Sequence, residues 1–136
     1  MKKYLLTSLL ITTTIASAGL VPKPEIFDNA KCSLGFFKGS IDLKIQKING
    51  DYLLSITENK STKLYPISTM NLEKAPQLQI VSKRFEENGG TYRAILDGEI
   101  LEVRKIEYYE EGRDRFSMEN YRTVRNINCS VKYKIL

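Results

Sequence analysis

The run Ser40-Ile-Asp-Leu-Lys-Ile-Gln-Lys-Ile48 alternates apolar and polar residues, and Asn49-Gly50 follows it directly. Successive strand side chains point to opposite faces. Ile41, Leu43 and Ile45 therefore share one face, and Asp42, Lys44 and Gln46 take the other. Asn-Gly accepts positive φ at both positions, which favours a two-residue hairpin loop. That loop pairs Ile45 with Leu54 and Leu43 with Ile56. A three-residue loop pairs Gln46 with Leu54 and mixes the faces, so the register is tightly specified. Upstream, a turn at Lys38-Gly39 pairs Phe36 with Ile41, Leu34 with Leu43 and Cys32 with Ile45. The stretch 31–57 thus reads as a three-stranded meander with Cys32 facing inward.

Met1–Ala18 reads as a cleavable signal peptide. Lys2 and Lys3 form a basic start of a compact, bacterial kind, Tyr4–Ile15 is apolar, and Ala16-Ser17-Ala18 is a small-x-small cleavage site before Gly19. The apolar run falls short of the roughly 20 residues of a membrane-crossing helix. No transmembrane segment is expected after cleavage, and the expected compartment is the periplasm or the outside medium. Residues 19–30, with Pro22 and Pro24, read as an irregular lead-in, and residues 31–136 as a single β domain. Removing Lys2 and Lys3 lowers the formal charge from +5 by two, to +3, an ordinary solubility charge.

The chain has two cysteines, Cys32 and Cys129. An oxidising compartment makes a disulfide their expected state, with one intramolecular connectivity.

Further strands follow. Glu58–Ser61 reads as a turn, and Thr62–Ile67 as a short strand that Pro66 pushes toward an edge. Ser68–Pro76 reads as one helical turn carrying Met70 and Leu72. Gln77–Phe85 and Tyr92–Leu96 pair around Asn88-Gly89, with Phe85 opposite Tyr92 and Val81 opposite Leu96. Asp97-Gly98 turns into Glu99–Tyr109, placing Ala94 opposite Leu101, Tyr92 opposite Val103 and Arg93 opposite Glu102 on the outer face. A change of phase predicts a bulge near Arg104-Lys105. Glu110–Asn120 is a polar loop, Tyr121–Arg125 a short strand, and Ile127–Tyr133 a final strand with Cys129 inward. About eight alternating strands imply a small antiparallel up-and-down β-barrel, with a β-sandwich as the alternative, its ends tied by Cys32–Cys129.

The chain has no histidine. Ser-His-Asp and Cys-His catalysis are excluded, and the commonest metal ligand is lost. Glu86, Glu87, Glu107, Glu110, Glu111 and Asp114 show no spacing that defines a glycosidase pair. No enzyme, cofactor or metal site is expected. Tyr108, Tyr109, Arg113, Arg115, Phe116, Tyr121, Arg122 and Arg125 crowd one stretch, and Tyr and Arg dominate interface hot spots. The expected function is an exported, non-enzymatic binding domain whose loops engage a protein or envelope ligand. Tyr92, Tyr109, Arg113, Arg115 and Phe116 are the predicted contacts. A second reading binds anionic polymer through Lys83, Arg84, Arg104, Lys105, Arg122 and Arg125; nucleic acid is not the expected ligand. A third is a structural or accessory component of an envelope assembly.

Cys32, Gly90-Thr91-Tyr92 and Asn126-Ile127-Asn128-Cys129 resemble positions of the periplasmic C-type lysozyme inhibitors. That resemblance implies a small β-barrel whose loop residues plug a lysozyme cleft, and inhibition of a hydrolase as the sharpest form of the binding function. The chain departs from the family where its Ser-Gly-x-x-Tyr loop would stand: here the residues are Asn88-Gly89-Gly90-Thr91-Tyr92. Its lysine-glycine loop has no counterpart, and the chain has no Trp.

Overall fold

The structure is a computed structural model that describes residues 23–35 and 38–136. The expected signal peptide and the Phe36–Ile41 pair lie outside the described residues. The strands are β1 (Glu25–Ser33), β2 (Ser40–Ile48), β3 (Asp51–Glu58), β4 (Ser61–Asn71), β5 (Gln79–Ser82), β6 (Phe85–Glu87), β7 (Gly90–Asp97), β8 (Ile100–Tyr109) and β9 (Glu119–Ile135). All pairings are antiparallel, in the order β5-β4-β3-β2-β1-β9-β8-β7-β6, and β5 also pairs with β7. That last pairing closes an eight-stranded barrel and leaves β6 as an extra strand, so the sandwich alternative falls away.

The Asn49-Gly50 hairpin has the predicted register, Ile45 with Leu54 and Leu43 with Ile56. Both turn residues have positive φ, 52° and 85°. The upstream register differs. Cys32 pairs with Ile41 and Ala30 with Leu43, because the β1–β2 connection is longer than two residues. The shift is four residues. An even shift preserves the face, so Cys32 still points into the core. β1 also begins at Glu25, inside the stretch expected to be an irregular lead-in. Asp28 is the extra residue of a bulge opposite Tyr133 and Lys132, which brings Phe27 and Ala30 to the same interior despite their odd spacing.

Further expectations are corrected. The helical turn at 68–76 is absent: β4 continues to Asn71, with Met70 opposite Ile80, before a cis Ala75-Pro76 bond. Phe85 does pair with Tyr92, but Val81 pairs with Ile95, because the strand breaks at Lys83-Arg84. In the β7–β8 hairpin Ala94 pairs with Val103 and Arg93 with Arg104, two residues from the predicted register, since the loop is Gly98-Glu99. A register shift does fall at Val103/Arg104, beside the expected Arg104-Lys105, but its extra residue is Val124 on β9; a second bulge lies at Glu107, and β9 runs unbroken where two strands were expected.

The interior is filled by Phe27, Ala30, Leu43, Leu54, Ile80 and Leu96, with the Cys32–Cys129 disulfide among them. The bridge joins directly paired residues of β1 and β9, 97 positions apart in sequence. Cross-linking so long a loop removes about 4–5 kcal/mol of unfolded-chain entropy. The Cys32→Ala/Cys129→Ala variant should therefore lose about 4 kcal/mol in a urea titration. A loss under about 1 kcal/mol would show that the unfolded chain is already compact.

The β3–β4 turn holds a second, smaller test. Lys60 has φ 64°, after Asn59 at 52°. A left-handed backbone costs a lysine about 1–2 kcal/mol, and glycine returns about 0.5–1 kcal/mol of that as unfolded-state freedom. Lys60→Gly should raise stability by about 0.5–1 kcal/mol in the same titration.

Candidate functional site

Alternate connections of an up-and-down barrel share an end. The 34–39 connection, the Asn59-Lys60 and Asn88-Gly89 turns and the β8–β9 connection lie at one end. The opposite end is filled. Phe27 N–H donates to Leu72 O at 2.8 Å, and buried Leu78 accepts from Gly98 N–H at 2.9 Å. Among the described residues the first end is open, and it holds a cavity of about 430 Å³.

The inner-face alternation of each strand builds this mouth. Leu54 and Ile56 lead to Glu58 on β3; Cys129 and Ile127 lead to Arg125 on β9. On β4, Ile67 leads to Tyr65 and Lys63. The floor is aliphatic, from Ile41, Ile56, Ala94, Leu101 and Val103. One wall is aromatic: Tyr65 and Phe85 have ring centroids 4.2 Å apart, and Phe85 stacks on Tyr92 at 6.1 Å. The Tyr92 ring lies over Gly90, where an added Cβ would meet it at 3.0 Å.

The rim is ionic. Arg125 reaches from β9 to β3 and donates two hydrogen bonds to the Glu58 carboxylate, at 2.9 and 3.1 Å. Lys63 of β4 pairs with Glu87 of β6. The Arg125 hydrogen bond holds the Glu58 carboxyl below its ordinary range, against burial, and Lys63 adds to it. Burial first, and then the Glu87 charge, hold the Tyr65 phenol above its ordinary value, so it stays protonated.

The wall is incomplete beside this rim. The first half of β4 pairs with β3 alone, and β6 pairs with β7 alone. The β4–β5 ladder begins at Ile67, just after Pro66, whose ring nitrogen has no hydrogen to donate. Pro66 O accepts from Lys83 N–H at 2.8 Å, and beyond that bond side chains join the strands, through the Tyr65–Phe85 contact and the Lys63–Glu87 pair.

A second cluster lies outside the barrel. Arg93 alternates with Ala94 and so faces outward, yet its side chain is 0% exposed. It donates to both Glu119 oxygens, to Asp114 Oδ1 at 2.7 Å and to the Ser82 carbonyl. Arg84 joins Glu119 at 3.0 Å, and its guanidinium lies 4.0 Å over the Tyr109 ring. These bonds pull the loop after β8 down over Val81, Ile95 and Ile106, which are buried outside the interior cluster. Burial raises the Asp114 carboxyl, but the Arg93 hydrogen bond and charge, with Ser68 and Arg84, outweigh it and hold the group below its ordinary range.

The predicted contact residues divide between the two places. Tyr92 lines the mouth. Tyr109 packs on Arg84, and Phe116 is half-buried with Arg104 5.7 Å over its ring. Arg113 and Arg115 are exposed on the pinned loop, and Arg113 pairs with Glu110 at 2.8 Å. Of the residues of the anionic-polymer reading, Arg84, Arg104, Arg122 and Arg125 each pair with a carboxylate. Arg93 was expected on the surface opposite Glu102; it is buried and opposite Arg104. Glu58, Lys63, Tyr65, Phe85 and Arg125 gain a shared role that the linear reading did not give them. Their signal was the inner-face alternation running past the last apolar residue of each strand.

Among the described residues there is no cluster of three or more side chains able to hold a metal, and no helix long and apolar enough to cross a membrane. The chain matches no protein-family model, no curated protein and no solved structure.

Breaking a buried ion pair from one side strands a charge and costs about 3–5 kcal/mol, whereas apolar replacement of both partners is milder. Glu119→Leu should therefore destabilise more than Arg93→Met/Glu119→Leu, as read from urea midpoints. A fully additive double variant would show that the pair is not energetically coupled.

The acid limb carries a second expectation. The depressed Asp114 and Glu58 groups stabilise the fold fully above their unfolded values, about 3.9 and 4.3, and that contribution is lost as pH falls through the lower folded values. Asp114→Asn should flatten the fall of stability below about pH 4. An unchanged slope would remove Asp114 from the acid response.

Proposed function

We propose that this chain is a non-enzymatic binding domain that works after export, and that its binding element is the open mouth of the barrel. One observation carries the reading: a barrel filled at one end keeps a cavity of about 430 Å³ at the other, with an apolar floor and an aromatic wall. Eight-stranded barrels either fill with side chains or hold one small ligand. Binding pockets of this size range combine apolar lining with a few placed polar groups. The disulfide supports an oxidising compartment, periplasmic or extracellular. The charged groups at the mouth pair with one another, Glu58 with Arg125 and Glu87 with Lys63, an arrangement suited to holding a ligand.

A second reading is contact with a protein, such as inhibition of a hydrolase, through the loop after β8. It is favoured by a loop fixed by buried ion pairs that leaves Arg113 and Arg115 exposed. Rigid elements lose less entropy on binding.

The neutral fluorophore N-phenyl-1-naphthylamine separates the two. It should brighten on binding the oxidised domain, and Val103→Phe, which fills the mouth, should abolish the signal while the melting temperature holds. Arg113→Ala/Arg115→Ala should leave it unchanged. No brightening, or brightening insensitive to Val103→Phe, would overturn the mouth as the site. Capture of a lysozyme by the oxidised domain, lost in Arg113→Ala/Arg115→Ala, would favour the second reading.

A further inference from the structure

The rim charges bear on what the mouth accepts, given the reading of the mouth as a binding site. Arg125, Glu58, Lys63 and Glu87 are two cations and two carboxylates, joined as Arg125–Glu58 and Lys63–Glu87. Glu58 also feels the Lys63 charge, so the signs alternate along this side of the mouth. Beneath them the floor is aliphatic, and the wall of Tyr65, Phe85 and Tyr92 offers ring faces.

We propose that the mouth takes a small zwitterion: an apolar body, aromatic or a short alkyl chain, carrying an ammonium and an oxyanion side by side. The argument is one of exchange. A ligand charge entering the rim displaces one half of an existing ion pair. A lone anion bonds Lys63 or Arg125 but leaves Glu87 or Glu58, each only about one-third exposed, without its partner. A lone cation instead releases Arg125 or the more exposed Lys63. An ammonium and an oxyanion together open one rim pair and give both halves a new partner. Charged hydrogen bonds contribute more than neutral ones, and an unpaired charge costs more than either. The two rim pairs have different neighbours, which gives the ligand an orientation. Lys63 and Glu87 flank Tyr65 and Phe85 across the incomplete wall, so a head placed there sets its body against the aromatic face.

Size narrows the class further. The cavity of about 430 Å³ equals the liquid share of roughly fourteen waters. That fits one aromatic ring system or one short chain, and not the two acyl chains of a membrane lipid.

The chain contains no tryptophan, so indole emission comes from the probe alone, and its rise in anisotropy on binding reports occupancy. Four probes share one body and differ in the head: tryptophan as the zwitterion, N-acetyltryptophan as the anion, tryptophan methyl ester as the cation, and N-acetyltryptophanamide as the uncharged form. Tryptophan should bind at least about tenfold more tightly than either singly charged probe. Glu87→Gln leaves the rim with a net positive charge and should reverse the order, favouring N-acetyltryptophan over tryptophan. A residue that only supported the fold would weaken all four alike. Displacement of tryptophan by monomeric octylphosphocholine would extend the class to alkyl zwitterions; its failure to compete would restrict the class to aromatic bodies. Equal binding of all four probes, or an order that Glu87→Gln leaves unchanged, overturns the zwitterion. If none binds while N-phenyl-1-naphthylamine still brightens, the zwitterion alone is wrong; if the fluorophore is also silent, the mouth itself is not the site.

Discussion

The Arg93 guanidinium is sealed from solvent and stays charged, and four of its five N–H donors find acceptors inside the protein. How they do so sets the local course of three segments. One donor takes the Ser82 carbonyl, just where β5 ends and the chain kinks toward β6. Two more engage Glu119 at the start of β9, and another reaches Asp114 in the loop before it. Ser82 is held twice, because its hydroxyl also accepts from Ala94 N–H at 2.9 Å. One side chain thus fixes the break in the closing strand and the descent of the β8–β9 loop together.

The open mouth follows from that break. β5 closes the barrel on β7 through Gln79, Ile80 and Val81, and β6 resumes pairing with β7 one register step later. On the other side, β4 meets β5 from Ile67 onward, and its first half pairs with β3 alone. The barrel is therefore a complete cylinder at the filled end and a wall with a seam at the other. Side chains bridge the seam where backbone hydrogen bonds do not. Since the inner faces of β3, β4, β6 and β9 end in Glu58, Lys63, Glu87 and Arg125, the bridging is ionic at the rim and aromatic below it.

Much of the fold was legible because the side-chain period of a strand is two. Asn49-Gly50 fixed one register outright, and that register is observed. The β1–β2 and β7–β8 registers were misjudged by four and two residues, yet Cys32, Leu34, Ala94 and Leu101 stayed inward, since even shifts conserve faces. The errors that parity does not forgive came from bulges at Asp28, Ser68, Val124 and Glu107 and from the one-residue slip at the Lys83-Arg84 break that turns Val81 outward, and nothing in their residue types marks them. Arg93 was misread for a different reason. Its position on an outward face is correct, but its burial comes from a loop more than fifteen residues downstream, held by Asp114 and Glu119. No local pattern shows that an outer face will be covered. The mouth was legible only in halves. Glu58 and Arg125 each follow two inward residues at alternate positions, but their meeting across 67 residues needs the closed barrel.

The seam also distinguishes this mouth mechanically. Local opening costs least where few backbone hydrogen bonds and few buried apolar contacts hold a segment. The β4–β6 gap meets that description: a surface ion pair and one ring contact close it, and exposed pairs contribute only about 0–1 kcal/mol each. The neighbouring closure is different in kind, with the buried Arg93 cluster and the β5–β7 ladder behind it. Widening is therefore confined to the side of the mouth that carries the aromatic wall, and the floor of Ile41, Ile56 and Leu101 stays part of the rigid barrel. On the proposed binding role, entry of a ligand would separate Lys63 from Glu87 and Tyr65 from Phe85, and the groups that latch the mouth would then be the groups that hold its occupant.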